Sequence, residues 1–235
     1  MVSTVIKNWD NKNWLSSNNY IKSFNNFLIK NIKLNSNSRI LDIGCGRGKI
    51  LGSLSSKLKL KNKPLGIDVI NHKDKDNRIN FKKIDAKYFF LKNKNQYDLI
   101  LIKQTIHLLN IKEIKRLLNL SKKNLSQNGK ILIFTLDTNN NEIPTFHLMR
   151  RKLTKSLKRD KKILKFIMKL YPYRKNKFTY KVYIKKNKYL RMIKDRYMST
   201  LLTLTKEDLK KGIDEINLRY KNNIKFKDKL ICLSL

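Results

Sequence analysis

The sequence predicts an α/β protein built on a mostly parallel β-sheet. Between residues 39 and 136, short apolar segments alternate with amphipathic helical segments, which is typical of consecutive strand–helix–strand units. One of the apolar segments, Asp98–Ile102, reads DLILI and has the unbroken apolar character of a strand covered on both faces. Strands separated by helices of this length imply parallel pairing with right-handed crossovers.

The first 37 residues are polar with scattered aromatic side chains. Within them, Tyr20, Phe24 and Leu28 recur at helical spacing, which predicts an amphipathic helix over 17–32. Ser17 stands at the position of its N-cap, where a side-chain oxygen accepts a hydrogen bond from a free backbone N–H.

Residues 39–136 carry five predicted strands and two predicted helices between them. The strands are Arg39–Ile43, Pro64–Asp68, Ile79–Ile84, Asp98–Ile102 and Lys130–Leu136, and the helices are Lys49–Leu60 and Ile111–Leu125. Asn128 and Gly129 form a turn signal before the fifth strand.

The pattern changes after residue 144, where the chain becomes strongly basic and no strand–helix unit is clear. Phe146–Leu170 predicts an amphipathic helix that Pro172 ends, whereas 178–197 fits a strand or a helix. Thr205 begins a further helix with a capping box in which Asp208 replaces the usual Glu. Two short strands, Ile224–Phe226 and Lys229–Leu235, are predicted to pair at the end of the chain.

The chain therefore divides into four predicted segments. These are an N-terminal helical lid (1–37), a ligand-binding core (38–144), a basic insertion that caps the substrate site (145–204), and a C-terminal helix with strands that complete the core (205–235).

Composition places the chain among globular proteins of the cytoplasm. The two cysteines, Cys45 and Cys232, are too few for a disulfide framework. The start of the chain has no apolar core of a secretory signal, and no apolar run approaches the roughly 18 residues that a spanning helix requires. We expect an intracellular protein with no transmembrane segment; the oligomeric state is left open.

The net charge of +38, from 55 Lys and Arg against 17 Asp and Glu, has two interpretations. One is a polyanionic partner, such as a nucleic acid or an anionic membrane surface. The other is compositional drift, because the chain is saturated with Lys, Asn and Ile. Lysine dominates over arginine and is spread along the whole length, which favours drift.

The run Ile40–Gly48, ILDIGCGRG, combines a strand, a glycine loop and a helix start. The spacing G-x-G-x-G differs from the G-x-G-x-x-G of dinucleotide-binding loops. Asp42 lies two residues before the first glycine, where it would repel a pyrophosphate and attract an amino group. A ligand with a sulfonium, an ammonium and an adenosine, but no phosphate, fits this loop better.

ILDIGCGRG closely resembles the first motif of the class I S-adenosylmethionine-dependent methyltransferases. This resemblance implies a Rossmann-like sheet with an antiparallel last strand, S-adenosyl-L-methionine as cofactor and S-adenosyl-L-homocysteine as product. The residues that it assigns to cofactor binding are Asp42, Gly44, Cys45, Gly46, Gly48, Asp68, Val69, Asp85, Ala86 and Gln104.

The resemblance also assigns roles to single residues after the later strands. Asp68 would accept hydrogen bonds from the ribose hydroxyls, and Asp85 from the exocyclic amine of adenine. Asp85 with Ala86 is also an ordinary turn. His107 follows the fourth strand, where small-molecule members of the family often carry a histidine near the transferred methyl group; a packed histidine is the alternative.

Several signatures of other methyltransferases are missing. No D/N-P-P-Y/F follows the fourth strand and no cysteine ends the fifth, which disfavours base-methylating enzymes. Asp137, Asn139 and Asn141 fit a polar loop better than a set of metal ligands, so no metal is predicted.

A small-molecule acceptor with an oxygen or nitrogen nucleophile is predicted. In the C-terminal third of the chain, the segment 196–202, RYMSTLL, and the helix that begins at Thr205 are loosely similar to the trans-aconitate-type methyltransferases. This resemblance implies an anionic acceptor, such as a carboxylate, held by Arg191 or Arg196. Trp9 and Trp14 are expected in a lid over the cofactor, with Trp14 also at the substrate. His107 is the candidate base, and Tyr171, Tyr173, Tyr180 and Tyr183 are further candidates.

Two alternatives remain. The first is a methyltransferase that acts on RNA or at an anionic membrane surface through the basic insertion. The second is a non-catalytic module that binds S-adenosyl-L-methionine, although a remnant of the fold would have no need for Asp42, Asp68 and Asp85 together.

Overall fold

A computed structural model describes residues 13–235, which form one seven-stranded sheet flanked by helices. The strand order is β3-β2-β1-β4-β5-β7-β6. The strands are β1 (Ile40–Ile43), β2 (Leu65–Asp68), β3 (Asn80–Lys83), β4 (Tyr97–Lys103), β5 (Leu125–Leu136), β6 (Arg174–Lys185) and β7 (Asn223–Ser234).

Seven α-helices connect or flank the strands of the described chain. They are α1 (Asn18–Asn31), α2 (Lys49–Leu58), α3 (Ala86–Lys92), α4 (Ile111–Lys123), α5 (His147–Leu170), α6 (Lys186–Lys194) and α7 (Lys206–Arg219). Three single turns of 3-10 helix lie at Trp14–Ser16, Ile106–Leu108 and Ser199–Leu201.

The first five strands are parallel, and β7 runs antiparallel between β5 and β6. In register, Leu41 of β1 pairs with Leu65 of β2 on one side and with Ile100 of β4 on the other. The predicted mostly parallel sheet with an antiparallel last strand is confirmed. The order reverses between β1 and β4, so a crevice opens at the carboxyl ends of these strands.

Apolar side chains cover both faces of the sheet. Leu132 and Phe134 of β5 face the layer formed by α1, α2, α6 and α7, whereas Ile131 and Ile133 face α3, α4 and the second half of α5. Because successive side chains of a strand point to opposite faces, β5 contributes to both halves of the core. The continuous apolar reading of the central strands follows from this double burial.

The N-terminal helix forms where the sequence predicts it. The Ser17 hydroxyl accepts a hydrogen bond from the backbone N–H of Tyr20 at 3.3 Å and caps α1. Tyr20, Phe24 and Leu28 are fully buried, because α1 lays this stripe on the sheet.

Two features between residues 85 and 136 differ from the prediction. Asp85 caps a helix, α3, that the sequence analysis did not predict, and this helix buries Phe89 and Phe90. The strand β5 begins at Leu125 rather than Lys130, and Asn128 with Gly129 lies inside it at an irregular step of the pairing with β4. The turn signal therefore marks a bulge, not a connection.

The basic segment 145–204, predicted as an insertion outside the sheet, contributes an edge strand to it. Residues 174–185 form the edge strand β6, which pairs with β7 along its whole length, and residues 186–194 form α6. Residues 178–197, which fitted a strand or a helix from sequence, thus contain the end of a strand followed by a helix. The two predicted C-terminal strands are wrong as a pair, because Asn223–Ser234 is one continuous strand between β5 and β6.

None of the described helices has the length and apolar character that crossing a membrane requires.

Candidate functional site

The glycine loop between β1 and α2 lies in the crevice at the carboxyl ends of β1 and β4. Gly44, Gly46 and Gly48 all have positive φ angles, of 73°, 55° and 72°. A Cβ atom at Gly44 would lie 2.3 Å from Thr105 Oγ1, and one at Gly48 would lie 2.1 Å from Ile79 Cδ1. The loop therefore needs glycine for its backbone conformation and for its close packing.

Asp68, at the end of β2, holds the loop from the other side. Its Oδ2 accepts a hydrogen bond from Gly46 N at 2.9 Å, and its Oδ1 accepts one from Ile70 N at 2.9 Å. Each carboxylate oxygen has a second lone pair, so the carboxylate can accept further hydrogen bonds from a ligand.

At the next strand end, Asp85 Oδ1 accepts a hydrogen bond from Lys87 N at 2.8 Å and caps α3. Two apolar side chains flank this end of the crevice: Val69 is 60% exposed and Leu108 is 70% exposed. Both side chains add to the apolar lining that is typical of small-molecule sites.

These elements enclose a cavity of about 450 Å³, here called the large cavity. All ten residues predicted to bind the cofactor line it: Asp42, Gly44, Cys45, Gly46, Gly48, Asp68, Val69, Asp85, Ala86 and Gln104. The structure thus brings together residues from four strand ends that are separated by more than sixty positions in the sequence. Their binding roles stay predictions.

Asp42 and Lys103 bring opposite charges to the large cavity from the carboxyl halves of β1 and β4; Asp42 is buried and Lys103 is half-buried. Burial raises the pKa of Asp42 to about 7; the ammonium of Lys103 opposes this rise and Asp68 adds to it. Burial also lowers the pKa of Lys103 to about 8, against the opposing charges of Asp228 and Asp42. Lys103 was not among the site residues predicted from the sequence, although a charged residue directly after an apolar strand indicates a position at the strand's carboxyl end, where ligands bind.

Gln104 follows Lys103 and has a φ of 52°, in the left-handed region that residues other than glycine rarely adopt. Its backbone N–H donates to Phe134 O at 2.8 Å, which holds the residue in place. Strained backbone of this kind collects at functional sites. Gln104 lines the large cavity and also a second cavity beside it.

This second cavity, here called the small cavity, has a volume of about 60 Å³. Leu15 and Gln104 line both cavities, so the two adjoin each other. The other residues of the small cavity are Trp14, His107, Leu136, Ile143, Leu153, Ser156, Asp160, Tyr197, Met198, Ser199, Thr200 and Asp228.

His107 lines the small cavity from the 3-10 turn after β4. Burial lowers the pKa of His107 to about 4, and the charge of Arg159 adds to this effect. The imidazole is therefore neutral at neutral pH, so it can accept a proton but is a weak base.

Of the two tryptophans and two arginines predicted in the lid or at the substrate, only Trp14 is seen to line a cavity. Trp14 is buried in the wall of the small cavity, where its Nε1 donates to Asp228 Oδ2 at 3.1 Å. Trp9 lies outside the described residues. Arg191 and Arg196 line neither cavity; the guanidinium of Arg196 donates to the carbonyl oxygen of Leu201.

The four tyrosines proposed as further bases, Tyr171, Tyr173, Tyr180 and Tyr183, also line neither cavity. A different tyrosine, Tyr197, lines the small cavity. Its hydroxyl hydrogen-bonds to the Tyr189 hydroxyl at 2.8 Å, and its ring meets the Trp14 ring edge-on at 5.4 Å between centroids. Burial raises the pKa of Tyr197, so this residue is a wall rather than a base.

Within residues 13–235, no three His, Cys, Asp or Glu side chains are placed to hold a metal ion. Asp137 Oδ1 instead accepts hydrogen bonds from the backbone N–H groups of Asn139 and Asn140, at 3.0 and 3.2 Å. Asn141 Oδ1 accepts one from Ile143 N. The polar run after β5 is thus a set of side chains that order their own loop.

No protein-family model and no curated protein matches the chain. Solved structures match it with little sequence identity. A provisionally assigned methyltransferase of an antibiotic biosynthesis pathway from Anabaena variabilis aligns over 90% of this chain and 96% of its own, with a TM-score of 0.65 and 13% identity. A provisionally assigned methyltransferase from Bacillus halodurans aligns over 90% and 97%, with a TM-score of 0.53 and 13% identity.

A third structure, precorrin 8W decarboxylase from Methanobacterium thermoautotrophicum, aligns over 90% of this chain and 88% of its own, with a TM-score of 0.51 and 10% identity. At this level of identity the matches show the fold alone. Because one of the three carries the name of a decarboxylase, the reaction has to be argued from the site.

Proposed function

Because the chain has the class I methyltransferase fold, we propose that it binds S-adenosyl-L-methionine in the large cavity and transfers the methyl group to an acceptor in the small cavity. The observation that supports this most is the convergence of Asp42, Asp68 and Asp85 on one cavity floored by a glycine loop. The volume of about 450 Å³ is in the range of small-molecule sites.

The end of the cavity between β2 and α3 suits an adenosine. Asp68 is placed to accept hydrogen bonds from the two ribose hydroxyls, which are donors, with the lone pairs that its backbone partners leave free. Val69 and Leu108 offer apolar surfaces to the two faces of an adenine ring. Asp85, whose Oδ1 caps α3, would accept from the exocyclic amine with its other oxygen.

The opposite end suits an amino acid in its zwitterionic form. Asp42 would hold the ammonium group, and Lys103 would hold the carboxylate, so each charge gains an opposite charge on binding. A dinucleotide would instead bring a pyrophosphate to the glycine loop near Asp42, whose carboxylate repels it.

The adjoining cavities would support methyl transfer by alignment. The cofactor supplies an electrophilic methyl group on a sulfonium sulfur. Gln104 and Leu15, which line both cavities, stand where the methyl group would pass from one to the other. The protein's contribution is to hold the nucleophile in line with the breaking bond and to exclude water with the apolar walls formed by Leu136, Ile143 and Leu153.

The small cavity supports a small acceptor group with an oxygen or nitrogen nucleophile. About 60 Å³ has room for only a few non-hydrogen atoms, less than an engineered cavity of about 150 Å³ that binds benzene. The alternative, methylation of RNA or of a molecule at an anionic membrane through the basic surface, would require the reacting group to enter this narrow space as well.

The proposal is tested by transfer of labelled methyl groups from S-adenosyl-L-methionine to a cell extract that is then separated into protein, RNA, lipid and small molecules. We expect label in the small-molecule fraction. The Asp68→Asn variant should lose transfer because it loses an acceptor for the ribose, whereas Asp214→Asn, an exposed acid on α7, should keep it. Label in no fraction with the unchanged protein would contradict methyl transfer, and label in RNA alone would favour the alternative.

A further inference from the structure

The walls of the small cavity have an unusual charge for this protein. Lys and Arg make up 55 of the 235 residues, yet none of the fourteen residues that line the small cavity is Lys or Arg. Its two ionisable carboxylic acids are Asp160 of α5 and Asp228 of β7, which are 4% and 1% exposed. A cationic protein therefore presents acidic groups to whatever enters this cavity.

Three oxygen atoms of the small cavity are buried and have no hydrogen-bond partner among residues 13–235. They are Asp160 Oδ1, Thr200 Oγ1 and Asp228 Oδ1. A buried acceptor without a donor costs free energy, and natural proteins keep such groups rarely and for a reason. The three atoms come from α5, the 3-10 turn Ser199–Leu201 and β7, so three separate segments converge on the cavity.

Neighbouring cations satisfy these acids only in part. Arg159 Nε lies 3.8 Å from Asp160 Oδ1, beyond hydrogen-bonding distance, and its side chain is 57% exposed. Lys103 acts on Asp228 by charge, Trp14 Nε1 donates to Asp228 Oδ2, and the buried Tyr20 hydroxyl lies beside the same carboxyl group. Asp160 Oδ1 and Thr200 Oγ1 are thus the oxygens of this cavity that lack a donor.

We propose that the small cavity binds the protonated amino group of the acceptor and that the chain is an amine N-methyltransferase, an inference that rests on the proposed function. A primary ammonium group has three N–H donors and one positive charge, which match the unpartnered oxygens of Asp160 and Thr200, the carboxyl group of Asp228 and the negative charge of Asp160. The rings of Trp14 and Tyr197 add aromatic walls, which attract cations.

The ionisation of Asp160 agrees with this assignment. Burial raises the pKa of Asp160 to about 6, with Arg159 opposing the rise, so this carboxyl is mainly ionised at neutral pH. An incoming ammonium would stabilise the ionised form further. A carboxylate acceptor would meet repulsion at the same place, and neither Arg191 nor Arg196 lines the cavity to offset it.

The transfer step balances without any further reactant. The ammonium group first gives one proton to the Asp160 carboxylate, which frees the lone pair on nitrogen. The N–C bond then forms as the S–C bond breaks, and the sulfur keeps the electron pair as a neutral thioether. The products are a methylated ammonium ion, S-adenosyl-L-homocysteine and one proton, which Asp160 releases to solvent.

Fluorescence of Trp14 tests the binding directly. The chain has two tryptophans, so Trp9→Phe leaves Trp14 as the single tryptophan, in the cavity wall. Propylammonium, propanol and propionate, which share a carbon chain, are titrated in the presence of S-adenosyl-L-homocysteine. We expect a saturable change with propylammonium alone. A loss of about tenfold or more in its affinity is expected for Asp160→Asn and for Asp228→Asn, since each removes a charged acceptor.

Asp195→Asn is the matched control, because Asp195 is an exposed acid at the end of α6. It should leave propylammonium affinity unchanged. Binding of propionate or propanol as tight as that of propylammonium, no saturable response to propylammonium, or an unchanged affinity in both Asp160→Asn and Asp228→Asn would overturn the inference. Failure of the proposed function would be distinct: calorimetry would then show no binding of S-adenosyl-L-homocysteine to the unchanged protein.

Discussion

Asp42, which is buried, and Lys103, which is half-buried, have opposite charges at the carboxyl ends of neighbouring strands, and the charged form of each is less stable there than in water. Burial raises the pKa of Asp42 to about 7 and lowers that of Lys103 to about 8. A zwitterionic ligand would relieve both penalties at once. This pair explains why a polar ligand can bind in a cavity whose walls are mainly apolar.

The affinity for S-adenosyl-L-homocysteine should rise as the pH increases towards about 7, because the free Asp42 carboxyl then ionises and attracts the ammonium group while Lys103, with a pKa of about 8, stays mainly charged. The Asp42→Asn variant should bind weakly and lose this rise. Calorimetric titrations between roughly pH 5.5 and 7.5, a range that includes the midpoint of about 7, measure it. A wild-type affinity that falls over this range would contradict the assigned role of Asp42.

The Asp42 carboxyl also makes the free energy of unfolding depend on pH, in the opposite direction to its effect on ligand affinity. An unfolded Asp has a pKa of about 4. Between pH 4 and 7 the folded protein holds a proton on Asp42 that the unfolded chain has lost, so the contribution of Asp42 to the free energy of unfolding falls as the pH rises.

Residues of the glycine motif were predictable because they lie within nine consecutive positions. Asp160 and Asp228 were not, because their meeting in the small cavity depends on how α5 and β7 fold together. No local pattern marks an isolated acid on a basic helix as a ligand. Arg191 and Arg196 were predicted to bind the substrate because a guanidinium suits an anion. Neither of them lines a cavity, and this outcome also depends on the fold.

Helix α1 connects the N-terminal segment to the sheet through an aromatic cluster. The Phe24 ring lies 4.7 Å from that of Phe134 on β5 and 5.2 Å from that of Phe178 on β6, measured between centroids. The side chain of Phe24 is fully buried. The cluster therefore places α1, and with it the Trp14–Ser16 turn that lines both cavities.

Phe24→Ala should lower the free energy of unfolding by about 3–5 kcal/mol, because it removes a buried ring and leaves a cavity. Denaturant unfolding measures the change. Leu218→Ala on α7 is the control, since Leu218 is 88% exposed and its truncation should have almost no effect. Equal destabilisation by the two variants would show that α1 is not anchored through this cluster.

At the level of elements, the sequence predicted the strands and helices whose apolar periodicity is regular. It missed α3, because this helix has only seven residues and its apolar residues, Phe89 and Phe90, are adjacent. It left β6 undecided because lysines on the exposed face of an edge strand hide the alternation of Phe178, Val182 and Ile184. It split β7 because Lys227 and Lys229 interrupt the apolar run.

The charge of +38 acts on the molecule as a whole. Mutual repulsion among so many cations opposes the compact state, and dissolved salt screens it over about 10 Å at 0.1 M. We therefore expect the unfolding temperature to rise when sodium chloride is added to a dilute buffer, as measured by thermal unfolding. A steady fall with added salt would mean that favourable ion pairs outweigh the repulsion.

Calorimetry of the unchanged protein with S-adenosyl-L-methionine and, separately, with NAD tests whether the large cavity is a site for S-adenosyl-L-methionine. We expect saturable binding of S-adenosyl-L-methionine with one site per chain and no measurable binding of NAD, because Asp42 repels a pyrophosphate. Binding of NAD in preference to S-adenosyl-L-methionine, or no binding of the latter, would contradict the assignment of this site.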